Sequence, residues 1–210
     1  MARIDDYKKA VELGKKELAE EDPKKIASRS GAEYIEEING KMRFSINFLN
    51  KRVLISWPEL SFSTGIHEEE LPIQQQVLLL HYLNMAEPIE ISDEWIAYQE
   101  VPDGKFYLDA FIRRAKNPML QGFGNNPELL VKLAGEAYGA TPLSQGDVAV
   151  RIQALPLVPV ALILWRGDDE FPPEGTILFD KSVSQVLSAE DIAWLAGMII
   201  YPLLGMAGGK

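Results

Sequence analysis

Apolar and polar positions alternate between residues 35 and 57, and this period of two predicts an antiparallel meander. Two tight turns divide it, at Asn39-Gly40 and at Asn50-Lys51, because asparagine and glycine tolerate the positive φ angles that such turns need. A two-residue turn at the first position pairs Glu36 with Arg43 on the solvent face. Together the turns place one set of apolar side chains on a common buried face: Ile35, Met42, Phe44, Ile46, Phe48, Val53, Ile55 and Trp57.

Segments with apolar residues at every third or fourth position predict several helices. They are residues 4–20, 71–85, 106–116, 127–138 and 189–201. The first is amphipathic and is expected to be peripheral, whereas apolar residues surround most of the second, which predicts a helix buried on several sides. Ser188 and Asp191 form a capping-box pattern before the last helix, and residues 205–210 are expected to form a peripheral tail.

Strand patterns return in the last third of the chain. Residues 147–154 alternate as a half-exposed strand does, residues 176–180 form a short run, and residues 158–165 are apolar on both faces. The last of these is the expected central strand, covered on both sides. The whole pattern predicts an α+β fold in which an antiparallel sheet, made of the N-terminal meander and the C-terminal strands, packs with helices. We expect residues 1–210 to form a single domain.

Composition narrows the chemistry that this fold can support. The chain has no cysteine and two histidines, which excludes thiolate metal sites, cysteine-ligated iron–sulfur clusters and closely spaced histidine pairs. A metal would have to be a hard cation bound through oxygen, and we expect neither a metal nor another cofactor. The formal net charge of −10 opposes nucleic-acid binding. No secretory signal or membrane-spanning stretch is recognised, which predicts a cytoplasmic protein without a membrane partner.

Several stretches of the chain resemble a known family. The residues that carry the resemblance run from Leu155 to Glu174, with Trp165-Arg166-Gly167-Asp168-Asp169-Glu170-Phe171-Pro172-Pro173 among them, and continue at residues 177–180 and 187–192, with further similarity at residues 76–83 and 106–115. The family is the prokaryotic domain of unknown function 3786. The resemblance implies an association with anaerobic bacteria and archaea, and with a cysteine-rich iron–sulfur segment in some members. It implies no activity, and this cysteine-free chain departs from the members that carry the segment.

An acidic loop between the strands at residues 158–165 and 176–180 is the first candidate site. The candidate ligand-binding residues in and beside it are Trp165, Asp168, Asp169, Glu170 and Asp180. Clustered carboxylates bind hard cations, and they act as general acid and base where their surroundings separate their pKa values. The alternative is a solvated hairpin loop shaped by its glycine and proline residues, since the spacing matches no calcium-binding loop.

Arg113 and Arg114 are the second candidate, as adjacent guanidinium groups suited to a phosphate or carboxylate ligand. The alternative is a surface pair in which Arg113 interacts with Asp109, four residues earlier on the same helix. His81 is the third candidate, because it lies in the most apolar predicted helix. It is either a general base or a buried histidine with one satisfied hydrogen bond. His67, beside an acidic run, is expected to be exposed.

Three functions remain open on the sequence alone. We favour a non-catalytic accessory module of anaerobic metabolism that binds a ligand or a protein partner, because no catalytic motif is recognised. The second is an enzyme that uses the carboxylates of residues 166–180, with or without a divalent metal ion. The third is a structural subunit of a larger assembly, or a homo-oligomer, whose interface is the apolar C-terminal helix or the pair Trp57 and Phe62.

Overall fold

The fold combines helices with antiparallel sheets, as predicted. The computed structural model describes residues 4–38, 40–65 and 69–208. Within them the strands form two separate five-stranded sheets, and every strand pair is antiparallel. The α+β prediction with antiparallel strands is confirmed, but the single sheet that it combined them in is wrong, because the N-terminal meander makes one sheet and the C-terminal strands belong to the other.

Two compact units make up the chain. The first, the N-terminal unit, comprises Met1–Glu90 together with Leu155–Leu157 and Gln185–Leu187. The second, the C-terminal unit, comprises Ile91–Ala154, Val158–Ser184 and Ser188–Lys210. Each unit contains its own sheet and its own helices. That residues 1–210 fold as a single domain stays a prediction.

The N-terminal unit is built on a sheet in which each strand pairs with the next one along the chain. Its strands are β1 (Glu33–Glu36), β2 (Met42–Phe48), β3 (Lys51–Trp57), β4 (Phe62–Thr64) and β5 (Glu69–Glu70). Its helices are α1 (Ile4–Ala19), α2 (Pro23–Ser30) and α3 (Ile73–Met85). The predicted meander is therefore confirmed, and the helix predicted at residues 71–85 begins two residues later.

One face of this sheet is buried, as the alternation predicted. Five of the predicted side chains have lost nearly all contact with water, at 2% exposure or less: Phe44, Ile46, Phe48, Val53 and Ile55. They alternate along β2 and β3, so their side chains point to one side of the sheet. Met42 and Trp57, at the ends of these strands, are half-buried. Burial of the apolar row is the main stabilising contribution of the sheet.

The predicted register of β1 is wrong by one residue. Arg43 pairs with Ile35 instead of Glu36, and Phe44 pairs with Tyr34. Because neighbouring residues of a strand point to opposite faces, a shift by one residue turns the strand over. Tyr34 therefore lies beside Phe44, with 6.1 Å between the ring centroids. Ile35 lies on the opposite face, so its predicted place in the apolar row is wrong.

The connection after β1 explains this shift. It consists of the five residues 37–41, and the amide of Glu37 donates a hydrogen bond to the carbonyl of Lys41 across it. An odd number of connecting residues replaces the predicted two-residue turn, which exchanges the two faces of β1. Asn39, the first residue of that predicted turn, lies outside the described residues.

The second turn lies one residue earlier than predicted. Leu49 and Asn50 have φ angles of 48° and 61°, so they form the two-residue connection, and Phe48 pairs with Lys51. Leucine avoids positive φ, so a turn at Leu49-Asn50 is not expected from the local sequence. The Leu49 side chain is only 6% exposed, and its burial offsets the backbone cost. The pairing moves by two residues, so each face keeps its side chains.

Helix α1 packs closely against α3 in the N-terminal unit. A β-carbon at Gly14 would lie 3.1 Å from Cβ of Leu80, so glycine permits this approach. The side-chain amide of Asn84 donates to the carbonyl of Gly14 at 3.1 Å. Val11 and Leu18 of α1 are buried. The helix predicted at residues 4–20 as a peripheral element therefore contributes side chains to the core of this unit.

The C-terminal unit is built on the second sheet, in which the strand order is β6-β10-β9-β8-β7. Its strands are β6 (Trp95–Ala97), β7 (Thr141–Pro142), β8 (Val148–Leu155), β9 (Val158–Trp165) and β10 (Glu174–Asp180). Its helices are α4 (Gly104–Phe111), α5 (Asn117–Phe123), α6 (Pro127–Tyr138) and α7 (Ala189–Gly208). β9 is the central strand, as predicted, and all of its residues except Trp165 are buried.

A π-helical turn over Ile112–Lys116 joins α4 to α5, so the helix predicted at residues 106–116 is part of a longer helical run. Pro118 accounts for the wide turn, because it has no amide hydrogen to offer the carbonyl four residues before it. The amide of Asn117 donates instead to the carbonyl of Ile112, five residues back.

Helix α7 begins with the predicted capping box. The amide of Asp191 donates to Oγ of Ser188 at 3.2 Å, and the Ser188 hydroxyl donates to the Asp191 carboxylate at 2.6 Å. The predicted end at residue 201 is wrong, because α7 continues to Gly208. Residues 205–208 belong to this helix and are mostly exposed, and a peripheral tail over residues 205–210 stays a prediction. Pro202 lies inside the helix, and Leu203 beyond it is fully buried, so its packing stabilises the continued helix.

Within the described residues, α7 is the one helix whose length and composition would let it cross a membrane. Half of its apolar window is buried in the structure, and a buried core helix passes the same test. α7 packs against α4, α5 and α6. The hydroxyl of Tyr138 in α6 donates to the carbonyl of Ile199 in α7 at 2.8 Å, which fixes these two helices together.

Candidate functional site

The acidic loop connects β9 to β10 and has a fixed backbone. Oδ1 of Asp168 accepts hydrogen bonds from the amides of Glu170 at 2.8 Å and Phe171 at 2.7 Å. The amide of Asp168 donates to the carbonyl of Phe171 at 2.9 Å. These backbone donors hold the pKa of the Asp168 carboxyl below its usual value. Asp168 is therefore ionised at neutral pH and organises the tip of the loop.

This loop forms one wall of a cavity of about 450 Å³, the loop cavity. Its lining residues are Gly124, Asn125, Pro127 and residues 166–173. Two aromatic side chains of the same connection face solvent: Phe171 is 67% exposed, and Trp165 at the end of β9 is 40% exposed. Exposed rings beside carboxylates offer both apolar area and negative charge to a ligand or a partner.

Arg166 and Glu128 join the loop to the start of α6. Both terminal nitrogens of the Arg166 guanidinium donate to the Glu128 carboxylate. This pairing lowers the pKa of Glu128 and raises that of Arg166. The backbone amide of Arg166 also donates to the Asp147 carboxylate at 2.8 Å. The cation of the loop is thus engaged by acidic partners, and its negative charge lies at Asp168, Asp169 and Glu170.

Asp180 has a different environment from the loop carboxylates. It is fully buried at the end of β10, and its Oδ1 accepts four hydrogen bonds. The donors are the amides of Ser92 and Ser182, each at 3.0 Å, and their hydroxyls, at 2.8 Å and 2.6 Å. Oδ2 is buried without a hydrogen-bond partner. Burial raises the pKa of Asp180, but the bonds from Ser182 and Ser92 outweigh it and lower the pKa.

The structure therefore separates the predicted carboxylates into two groups. Asp168, Asp169 and Glu170 line the loop cavity, whereas Asp180 does not and is bound to two serines. Trp165 flanks the loop without lining the cavity. In the part of the chain that the structure describes, no three histidine, aspartate or glutamate side chains are grouped so as to hold a metal ion. The enzyme hypothesis required the carboxylates of residues 166–180 to converge on one pocket, and Asp180 does not line the loop cavity with the others.

The remaining candidates lie elsewhere. Arg113 and Arg114 are exposed on the π-helical turn, and Nε of Arg113 donates to the backbone carbonyl of Asp109 at 3.2 Å, not to its carboxylate. His81 is half-buried on α3 of the N-terminal unit. His67 lies outside the described residues. Neither arginine lines the loop cavity.

A second concave surface, the sheet groove, was not predicted. It has a volume of about 520 Å³ and belongs to the N-terminal unit. Its lining residues are Gly40, Lys41, Met42, Arg43, Leu54, Ser56, Trp57, Pro58, Glu59, Ser61 and Ser63. The alternating pattern placed Arg43 on the solvent face of the sheet but predicted no binding site on that face. The signal that would have found the groove is the row of serines opposite Arg43 on the polar face of β3 and β4.

Comparison with known proteins places the chain in a family. A family model described as "Domain of unknown function (DUF3786)" matches residues 22–201. The chain belongs to this family. The match covers the DUF3786 region from α2 to the interior of α7, including both the loop cavity and the sheet groove. No curated protein and no solved structure matches the chain.

Proposed function

We propose that this chain is a partner-binding accessory module, and that the loop cavity receives a basic segment of a protein partner. The observation that carries the proposal is the exposed Phe171 ring beside Asp169 and Glu170 on a loop of fixed backbone. We also propose that the module acts in the cytoplasm and supports anaerobic metabolism. The family resemblance supports the anaerobic setting.

Charge supports a basic partner. Three carboxylates line the loop cavity, whereas its arginine is already bound to Glu128. The whole chain has a formal net charge of −10, which attracts basic segments and repels acidic ones. A lysine or arginine side chain that lies over the Phe171 ring gains a cation–π contact in addition to its ion pairs with Asp169 and Glu170.

The fixed backbone of the loop favours specific binding of a partner over non-specific surface association. The two amide bonds to Asp168 hold Phe171 in place before a partner arrives, so less conformational entropy is lost on binding. Gly167 is close to the other end of the loop, because a β-carbon there would lie 2.7 Å from the backbone nitrogen of Pro173. The ends of the loop are therefore drawn together, and its tip projects.

The proposal is tested with fluorescent peptides. We expect a short peptide that alternates lysine and serine to bind with saturable fluorescence anisotropy, and the matched glutamine–serine peptide not to bind. The double variant Asp169→Asn/Glu170→Gln should weaken lysine-peptide binding by about tenfold, because two exposed ion pairs at roughly 0.7 kcal/mol each contribute about 1.4 kcal/mol. Phe171→Ala should weaken it several-fold through the lost ring contact.

Matched controls separate a local effect from net charge. Glu87→Gln/Glu90→Gln removes the same charge from exposed positions in the N-terminal unit, and Phe106→Ala removes an 84% exposed ring from α4. Both controls should bind like the wild type. Equal weakening by the control pair would show general electrostatic attraction and would overturn the proposal.

Cross-linking in the native host identifies the partner itself. A photo-crosslinking amino acid in place of Phe171 should capture one protein whose cross-linked peptide is rich in lysine or arginine. The same amino acid in place of Phe106, another exposed phenylalanine, serves as the control. Identical products from both positions, or cross-linked peptides that are acidic, would contradict a basic partner at the loop cavity.

A further inference from the structure

One side of α7 is apolar and only partly covered by the rest of the C-terminal unit. Trp194, Met198, Tyr201 and Gly205 follow one another at intervals of three or four residues, so they form one row along the helix. Tyr201 is 55% exposed, Gly205 is exposed, and Trp194 and Met198 are half-buried. We call this row, together with Glu190 one turn before Trp194, the α7 face.

The apolar part of the α7 face differs from the outer side of an ordinary surface helix. Such a helix carries charged or polar residues opposite its buried side, whereas the chain has no charged residue between Asp191 and Lys210. The inner side of α7 needs apolar residues, because Ile192 and Leu195 are fully buried. On the outer side, Tyr201 stays more than half exposed. An exposed apolar row of this kind is typical of a protein interface.

A cation borders the α7 face near its middle. The π-helical turn packs against α7, and the contact lies at Gly197. A β-carbon at Gly197 would lie 4.0 Å from Cβ of Arg114 and 3.9 Å from Cε2 of Tyr201. The exposed Arg114 side chain therefore begins beside the Tyr201 ring.

Opposite charges thus lie at two points of this surface. Glu190 precedes Gly197 by seven residues of α7, which is about 10 Å along the helix axis. Both Glu190 and Arg114 are exposed. In the part of the chain that the structure describes, no ion pair engages either of them. One copy of the chain presents an acidic group, then an apolar row, with a basic group beside the row.

We propose that the α7 face is the interface of a symmetric homodimer. A two-fold axis perpendicular to α7 near Trp194 makes the α7 helices of two copies antiparallel. Glu190 of each copy then lies beside Arg114 of the other copy, and the two apolar rows cover each other. Charge complementarity identifies the occupant as a second copy, because the surface carries one group of each sign and its reversal pairs both.

The dimer contact is independent of the proposed binding of a basic partner. Neither α7 nor the π-helical turn contributes a residue to the lining of the loop cavity. Loss of one activity therefore leaves the other testable. The apolar row belongs to a single helix, so the interface lies at the small end of protein interfaces, and the dimer should dissociate at roughly micromolar concentrations.

Sedimentation velocity of the full chain over a concentration series measures this association. We expect reversible dimers with a dissociation constant of about 1–100 μM. Arg114→Glu and Glu190→Arg should each weaken dimerisation at least tenfold, because two-fold symmetry repeats each like-charge contact. The combined variant Arg114→Glu/Glu190→Arg exchanges the two charges, and it should restore the dissociation constant to within about threefold of the wild type.

Further variants separate the α7 face from the rest of the surface. Tyr201→Ala should weaken dimerisation at least tenfold through its lost aromatic area. Phe171→Ala, which removes a 67% exposed ring from the acidic loop, should not. Glu87→Arg and Lys25→Glu make the same charge changes at exposed positions of the N-terminal unit and should dimerise like the wild type. Thermal melting shows that each variant is folded.

Single thiols test the direction of the helices, since the chain has no cysteine of its own. Arg114→Cys and Glu190→Cys, mixed under mild oxidation, should form more disulfide-linked dimer than either variant alone. Three results would each overturn the proposal. They are a monomer at every concentration, a combined charge exchange that stays as weak as the single variants, and equal weakening by the control variants.

Discussion

Removal of the Asp180 carboxylate should destabilise the C-terminal unit strongly. In the variant Asp180→Ala, the amides of the buried Ser182 and of the exposed Ser92 lose their acceptor, and water can replace it only at Ser92. A buried donor without a partner costs about 1–3 kcal/mol, so the Ser182 amide predicts a loss of about 1–3 kcal/mol in the free energy of unfolding. The serine hydroxyls are free to rotate toward other acceptors, so we add nothing for them.

The variant Asp180→Asn should be less harmful, because its amide oxygen still accepts from both serines without the charge. A hydrogen bond to a neutral acceptor contributes roughly 1 kcal/mol less than one to a charged acceptor, so this variant should lie between the wild type and Asp180→Ala. Urea denaturation at neutral pH measures all three. Asp169→Asn, at an exposed position, is the control and should stay within about 0.5 kcal/mol of the wild type.

The contribution of Asp180 should depend on pH. Its pKa is lowered in the folded state, so its stabilising effect is fully present above the unfolded-state pKa of about 3.9 and is lost as the pH falls through the folded-state value. The gap between wild type and Asp180→Asn should therefore narrow only below about pH 4. Faster amide exchange at Ser92 and Ser182 should accompany each substitution. A loss below 0.5 kcal/mol in Asp180→Ala, with unchanged exchange, would refute this reasoning.

Other parts of the structure give further predictions. Gly104→Ala should destabilise the protein by about 1–3 kcal/mol, because its β-carbon would lie 2.3 Å from the Tyr98 carbonyl oxygen. Gly135→Ala, with no atom within 4 Å of the new carbon, should stabilise it by about 0.5–1 kcal/mol; urea denaturation compares the two. Tyr138→Phe should cost about 1 kcal/mol in the same assay through its lost bond to α7. Asp168→Ala should speed amide exchange at Phe171 and weaken lysine-peptide binding, while its melting temperature stays near that of the wild type.

Periodicity predicted the elements better than the connections between them. The apolar run of β9 and the alternation of β2 specify strands whatever surrounds them, because each strand residue faces one of two sides. The turn at Leu49 was missed for a tertiary reason. A leucine takes positive φ there because its side chain is buried, and burial is not visible in a local pattern.

The candidate site was also predicted only in part, because local sequence relates neighbouring residues but not residues that are far apart along the chain. The loop carboxylates are neighbours in sequence, so their common position at the loop cavity follows from the hairpin that connects β9 and β10. Asp180 is also near in sequence, but its partner Ser92 is 88 positions away, and no local rule connects them. The sheet groove needed the register of β3 and β4, which depends on the loop at Leu60.

The connection between β1 and β2 restricts how relatives of this chain can vary in length. Adding or deleting one residue within positions 37–41 would present Ile35 to the core and expose Tyr34, or would force the strand to slide along its neighbour. A change of two residues leaves the orientation of both side chains intact. Natural length variation at this hairpin should therefore occur in even steps, and a lone inserted residue should be accompanied by an exchange of apolar and polar positions throughout β1.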